Sequence, residues 1–210
     1  AVLLRHPQVF VLCDDIYDQI WFRDEPATTL AAAVPALKDR ILLANGVSKS
    51  YAMTGWRIGY AAGPAALVAA INKLQSQMSS CPSSISQAAA AFALSADQSF
   101  VTESVKVYKE RRDYACARLN AIPGLTCTVP DGAFYLYPNC AGAIGKTTPD
   151  GKVIESDLDF VLYLLDGVGV AALQGAAYGL SPHFRLSIAT SMDVIREACD
   201  RIERAMAMLR

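Results

Sequence analysis

The chain has 210 residues, 19 basic and 20 acidic, for a formal net charge of -1, so no electrostatic case arises for nucleic acid or an anionic membrane surface. Hydrophobic residues make up 53% and charged residues 19%, a balance that fits either surfaces covered by further chain or a subunit partner or an alanine-rich interior. The longest apolar stretch, around Ala61 to Ile71, contains Gly63 and Pro64 and is too short to span a bilayer; no secretory leader pattern opens the sequence.

In chain order, residues 9–13 form a continuous apolar run, the pattern of a strand buried on both faces of a parallel sheet. It ends in Asp14-Asp15-Ile16-Tyr17, and carboxylates at the carboxyl end of such a strand sit where open α/β sheets bind ligands. An aspartate there can keep a pyridine nitrogen protonated, and Tyr17 can hydrogen-bond a phenolic oxygen on the same ring. Asp15 reads instead as a polar cap where strand meets loop.

A second strand is expected at 41–44, followed by a loop of small residues carrying Lys49 and, eight positions on, Arg57. A partly buried lysine is disposed to attack an aldehyde, because burial disfavours its ammonium form. An arginine fork suits a phosphate. A phosphorylated carbonyl cofactor needs both groups, and pyridoxal 5'-phosphate is one; the bland alternative for Lys49 is a solvated loop lysine. A third strand at 58–62 and helices after Pro64 and around Ser86 to Leu94 complete an α/β pattern.

A longer helix is expected over Ser99 to Asn120, with Val101, Val105, Tyr108, Ala115 and Leu119 on one stripe, Lys109, Glu110 and Arg111 mostly on the polar side, and Pro123-Gly124 ending it. Strands are then expected over Leu125 to Val129 and Ala133 to Tyr137, a loop over 140–152, a helix near Ser156 to Leu165, and two further strands. The final helix starts at Thr190 or Ser191 and should bury Val194, Ile195, Ala198, Ile202, Ala205 and Leu209. In the strand around Phe184 to Ala189, Arg185 shares a face with Ser187 and Ala189, small neighbours that leave room for a bidentate carboxylate. Phe134 and Tyr135 read as either core or the lining of a substrate entrance. The six cysteines lack metal-ligand spacing and read as reduced thiols; His6 and His183 make no metal site.

Asp14-x-x-Tyr17, Ser48-Lys49, Gly55-x-Arg57-x-Gly59-Tyr60 and Phe184-Arg185-Leu186-Ser187 together resemble the class I aminotransferases of the fold-type I pyridoxal-phosphate enzymes. The run from Asn45 to Tyr60 and the segment Asp131-Gly132-Ala133-Phe134-Tyr135 look most like the bacterial aspartate aminotransferase branch. The resemblance implies the C-terminal part of the pyridoxal-phosphate-dependent transferase fold. Residues 1–96 would be the C-terminal part of the large cofactor-binding domain, and 97–210 the small α/β domain with its bridging helix. It implies that Asp14 binds the pyridine nitrogen, Tyr17 the ring hydroxyl, Arg57 the phosphate and Arg185 the substrate α-carboxylate, while Lys49 forms the Schiff base. Amino acid and 2-oxo acid substrates, aspartate and 2-oxoglutarate foremost, a homodimer and a cytoplasmic location follow from the same likeness. An aromatic or prephenate aminotransferase, a C–S lyase and a non-catalytic regulatory module remain alternatives.

Two departures stand out. Three positions before the lysine, where some aminotransferases carry a phosphate-touching serine, this chain has Gly46. A family member is also roughly twice as long, and the sequence starts at Ala1 without methionine, so it reads as a C-terminal portion whose activity alone is in doubt.

Overall fold

The computed structural model describes residues 1–210. The chain divides into two compact units, Ala1–Val105 and Lys106–Arg210.

The first unit is built on a three-stranded sheet of order β1-β2-β3. A short helix α1 (Val2–Arg5) precedes β1 (Val11–Asp14), and α2 (Leu30–Ala33) precedes β2 (Ile41–Gly46). The two strands pair in parallel, Val11 with Ile41 through Asp14 with Ala44. Arg40, just before β2, donates to the carbonyls of Leu3, His6 and Val9 at 2.7–2.9 Å and so ties down the segment that leads into β1. Strand β3 (Gly59–Ala62) returns antiparallel to β2, with Gly46 opposite Gly59. Helices α3 (Ala65–Met78) and α4 (Ser84–Ser95) follow, with Pro64 set just ahead of the first turn of α3, where its missing N–H costs nothing.

The expectation that the first strand is buried on both faces is not met. The strand starts at Val11 rather than residue 9, and its side chains alternate between half-buried and exposed, with Leu12 67% exposed. The continuous apolar run sees cover on one side only, because no element of this chain lies over Leu12. Every residue of β3 is exposed, so neither face of that edge strand is covered. The core of this unit gathers instead around Ile20, Phe22, Leu37, Ile41 and Val47.

Helix α5 (Ser99–Asn120) has the expected bounds and stripe: Val101, Ala115 and Leu119 are buried, Val105 and Tyr108 half-buried. In the second unit, β4 (Tyr135–Leu136), β6 (Phe184–Ser187) and β5 (Leu173–Gln174) form an antiparallel sheet of order β4-β6-β5. Helix α6 (Asp157–Val168) is capped by Ser156, whose Oγ accepts from the Asp159 N–H while the Asp159 carboxylate accepts from the Glu155 N–H and the Ser156 hydroxyl, a reciprocal cap. Gly169, left-handed at φ 68°, closes its far end. Helix α7 (Met192–Met208) is capped by Ser191. The core joins Ala115, Leu119, Phe160, Leu164, Phe184, Ile195 and Ile202, with the Phe160 and Phe184 rings edge to face at 5.3 Å.

Three expectations need correction here. Leu125 to Val129 forms no strand, only the isolated bridge of Thr126 with Asn139, because Asn120 holds both backbone groups of Cys127 with its side-chain amide. The strand over Ala133 to Tyr137 shrinks to two residues, since Ala133 is left-handed at φ 58° and breaks the extended path. Val194 is 53% exposed, while Ile195, Ile202, Ala205 and Leu209 are buried and Ala198 half-buried.

Candidate functional site

Strand pairing collects the sequence-predicted residues of the first unit at one end of its sheet. Asp14 is the last residue of β1 and lies beside Ala44, near the end of β2. The chain then leaves β2 at Gly46 and re-enters the sheet at Gly59, so the loop between them must start and finish at that same end. Lys49 lies at the start of this loop and Arg57 at its close.

Within it, Lys49 is half-buried and its Nζ stands 5.9 Å from the centroid of the Tyr17 ring, at the outer reach of a cation–π contact. Asp14 is exposed, a carboxylate open to a ligand. Arg57 is exposed and takes a left-handed backbone, φ 52° and ψ 50°, just after the turn Thr54–Trp56; its Nη1 donates to the Thr54 carbonyl at 2.9 Å. That bond uses one nitrogen of the fork and leaves further donors for an anion. Buried Val47 and Ser50 flank the lysine turn and anchor it.

Gly46 has a packing reason. A Cβ there would lie 3.2 Å from Gly59 Cα, Ile16 Cδ1 and the Ile58 carbonyl oxygen, tighter than side-chain carbons ordinarily come. The close approach of β2 and β3 at the base of the loop needs a residue without a side chain.

Asp15, expected as a polar cap, has a backbone N–H bonded to the Ala44 carbonyl at 2.9 Å and a buried Oδ2 without a partner. Burial, then the neighbouring Asp18 and Asp14 charges, raises its pKa. A layer around these residues escaped the sequence reading. Asn45 Nδ2 donates to Asp18 at 3.0 Å, and the Tyr51 hydroxyl donates to Gln98 Oε1 at 2.7 Å while receiving Gln19 Nε2. Burial and the Asp18 carboxylate raise the Tyr60 pKa. Only Asp18, four residues after Asp14, carried a spacing signal; the amides carried none.

Arg185, in the second unit, is on β6, the central strand of its sheet, and is half-buried. Its guanidinium carbon lies 4.5 Å from the ring centroids of both Tyr135 and Tyr178. Phe134 packs against the core, so the adjacent aromatics divide their roles. No sequence signal marked Tyr178, which ends the short turn Gly175–Tyr178.

A half-buried amine beside a phenol, an open carboxylate and a guanidinium with spare donors is a set able to hold a phosphorylated, ring-bearing aldehyde. The comparisons with known proteins agree in kind. The sequence profile of the family "Aminotransferase class I and II" matches residues 1–202. The chain is 53% identical to the aspartate aminotransferase of Rhizobium meliloti (strain 1021), over 97% of this chain and 50% of that protein. It is 52% identical to the probable aspartate/prephenate aminotransferase of Rhizobium leguminosarum bv. phaseoli, over 97% of this chain and 51% of that one. A crystal structure of the aspartate aminotransferase from Rhizobium meliloti superposes on all of the chain with a TM-score of 0.96 and 52% identity, while 52% of that structure is covered. The chain thus spans about half the length of the curated relatives it matches. It belongs to the class I and II aminotransferases, a family that works with pyridoxal 5'-phosphate.

Proposed function

We propose that this chain carries the lysine-bearing part of a pyridoxal 5'-phosphate site and that the whole protein transfers an amino group from aspartate to 2-oxoglutarate. The observation that carries the reading is the Lys49 amine over the Tyr17 ring, in a loop that also holds Arg57 and opens at the sheet end occupied by Asp14.

Bound there, the cofactor supplies an aldehyde to hold the substrate nitrogen and a ring to spread negative charge. Asp14 keeps a proton on the ring nitrogen. Tyr17 donates its hydroxyl proton to the ring oxygen, and Arg57 binds the phosphate. Lys49 would hold the cofactor through its amine, and the same amine, when free, would remove and return the proton at the substrate Cα. Arg185 binds the α-carboxylate through its planar fork.

Residues 1–96 are assigned to the large domain and 97–210, with α5 as the bridging helix, to the small one. A homodimer in the cytoplasm is the expected setting. The relatives' names favour transamination over β-elimination or a regulatory role, and the repeated pairing of aspartate with prephenate in those names supports a second reading in which prephenate is an alternative oxo acid.

The test is the absorbance of the purified chain with added pyridoxal phosphate, followed by borohydride reduction and peptide mapping. Covalent label on Lys49, lost in Lys49→Ala, is expected. Label spread over surface lysines would sink the assignment. Amino transfer from aspartate to 2-oxoglutarate and to prephenate, assayed side by side in the whole protein, then separates the two substrate readings.

A further inference from the structure

Three elements of the second unit converge on Arg185. Tyr135 comes from β4, Tyr178 from the turn after β5, and Arg185 from β6 between those strands. Backbone pairing places two of them, Tyr135 opposite Ser187 and Leu173 opposite Arg185, and the short turn Gly175–Tyr178 that follows β5 brings in Tyr178. The two ring centroids stand 4.5 Å from the guanidinium carbon. Each ring is braced in turn: Tyr135 by Phe134 at 4.9 Å, and Tyr178 by the edge of Tyr137 at 6.4 Å, whose hydroxyl donates to the Gly175 carbonyl at 2.9 Å.

Arg112, Arg118, Lys152, Arg196 and Arg201 are among the cations of this unit held in ion pairs, whereas no carboxylate pairs with Arg185. This arrangement is unusual for a half-buried cation, which is ordinarily held by an anion. An aromatic ring attracts a guanidinium without neutralising it. A carboxylate partner would fix the same side chain but would occupy the N–H donors that an incoming carboxylate needs.

We propose that Tyr135 and Tyr178 are positioning residues that hold the Arg185 guanidinium by aromatic contact and keep its N–H fork unspent for a substrate carboxylate. The inference rests on the reading of Arg185 as the carboxylate-binding residue. It adds that the tyrosines act through their rings, so phenylalanine replaces either one and an aliphatic residue does not.

The experiment uses the 210-residue chain with ¹⁵N-labelled arginine, and Arg185→Lys assigns the Arg185 side-chain signal. In the unmutated chain the Arg185 Hε resonance is expected upfield of the other arginines through ring currents; a resonance at the ordinary position overturns the proposal without any variant. Titration with succinate then reads carboxylate affinity. Tyr178→Leu is expected to reduce the upfield shift to the part that the Tyr135 ring supplies and to weaken succinate roughly threefold to tenfold, while Tyr178→Phe retains the full shift and the affinity. Equal affinity in Tyr178→Leu and the unmutated chain overturns the positioning role and leaves Arg185 as the carboxylate residue. Equal affinity in Arg185→Lys overturns the reading of Arg185 itself, and the positioning role with it.

Discussion

Gly46 and Gly59 face each other across β2 and β3 so closely that a Cβ on Gly46 would stand 3.2 Å from the Gly59 Cα. The contact closes the base of the loop that carries Lys49 and Arg57. A side chain at residue 46 must push the strands apart or displace Ile16, and overpacking of this kind costs about 1–3 kcal/mol. Gly46→Ser is expected to lower stability by that amount in urea unfolding. A loss below about 0.5 kcal/mol, the usual range for an open surface site, would show that the strands separate freely there.

Arg57 offers the fork that the proposed phosphate needs, with Nη1 used on the Thr54 carbonyl. Hydrogen bonds to a charged group contribute about 1.5–3 kcal/mol, so Arg57→Ala should weaken pyridoxal phosphate binding roughly tenfold to a hundredfold. Affinity for pyridoxal, which lacks the phosphate, should stay level. Parallel loss for both compounds would assign Arg57 to loop structure instead.

Asp15 provides a pH test that does not depend on the cofactor. Its carboxyl is raised by burial and by Asp18 and Asp14, so the folded chain holds that proton to higher pH than the unfolded chain. Between the ordinary carboxylate pKa and the raised one the native state binds more protons, and stability therefore falls as pH rises through this window. Asp15→Asn removes the slope. Relative to the unmutated chain, it should gain stability as pH rises from the ordinary carboxylate pKa through the raised one in paired urea titrations; a relative loss over that interval would contradict the raised pKa.

The thiols should separate by access. Cys81 is exposed and Cys13 half-buried, while Cys116, Cys127, Cys140 and Cys199 are buried. Burial pushes Cys140 up to about 12 and Cys199 up to about 11, and the Cys116 and Cys127 sulfurs share a hydrogen bond at 3.6 Å that lowers the first and raises the second. A disulfide-exchange reagent is expected to consume Cys81 first, Cys13 more slowly, and the four buried thiols only after denaturation, as read by mass spectrometry. Early modification of Cys116 would reveal an opening of α5 on the assay timescale.

The candidate site was legible wherever chemistry and spacing coincide along the chain. Asp14, Tyr17, Lys49 and Arg57 lie within two short segments, and two strand pairings, β1 with β2 and β2 with β3, set those segments at a common end of the sheet. The long helix α5 was legible from its stripe and the Pro123-Gly124 stop. Tyr178 was not, because its partnership with Arg185 is made by the turn after β5, which no periodicity marks. Leu12 misled for a different reason. An apolar run implies burial, but what covers a residue is decided by other chain, and here its face is open.

Helix α7 separates these two kinds of reading in one element. Val194 and Ile195 are both apolar and adjacent, and a stripe 3.6 residues in period admits either at its edge. The structure turns Ile195 inward with Cys199, Ile202 and Met206, and leaves Val194 facing out. Ile202 is wholly buried in the core cluster, so Ile202→Ala loses apolar contact and leaves a cavity at a cost of about 2–5 kcal/mol. Val194→Ala should change stability by less than about 0.5 kcal/mol, as an open helix position does. Ser191, whose Oγ accepts from the Val194 N–H at 3.3 Å, should cost about 1 kcal/mol on replacement by alanine. Urea unfolding of the three variants orders them Ile202, Ser191, Val194; a Val194→Ala loss as large as that of Ile202→Ala would mean that Val194 is covered in solution.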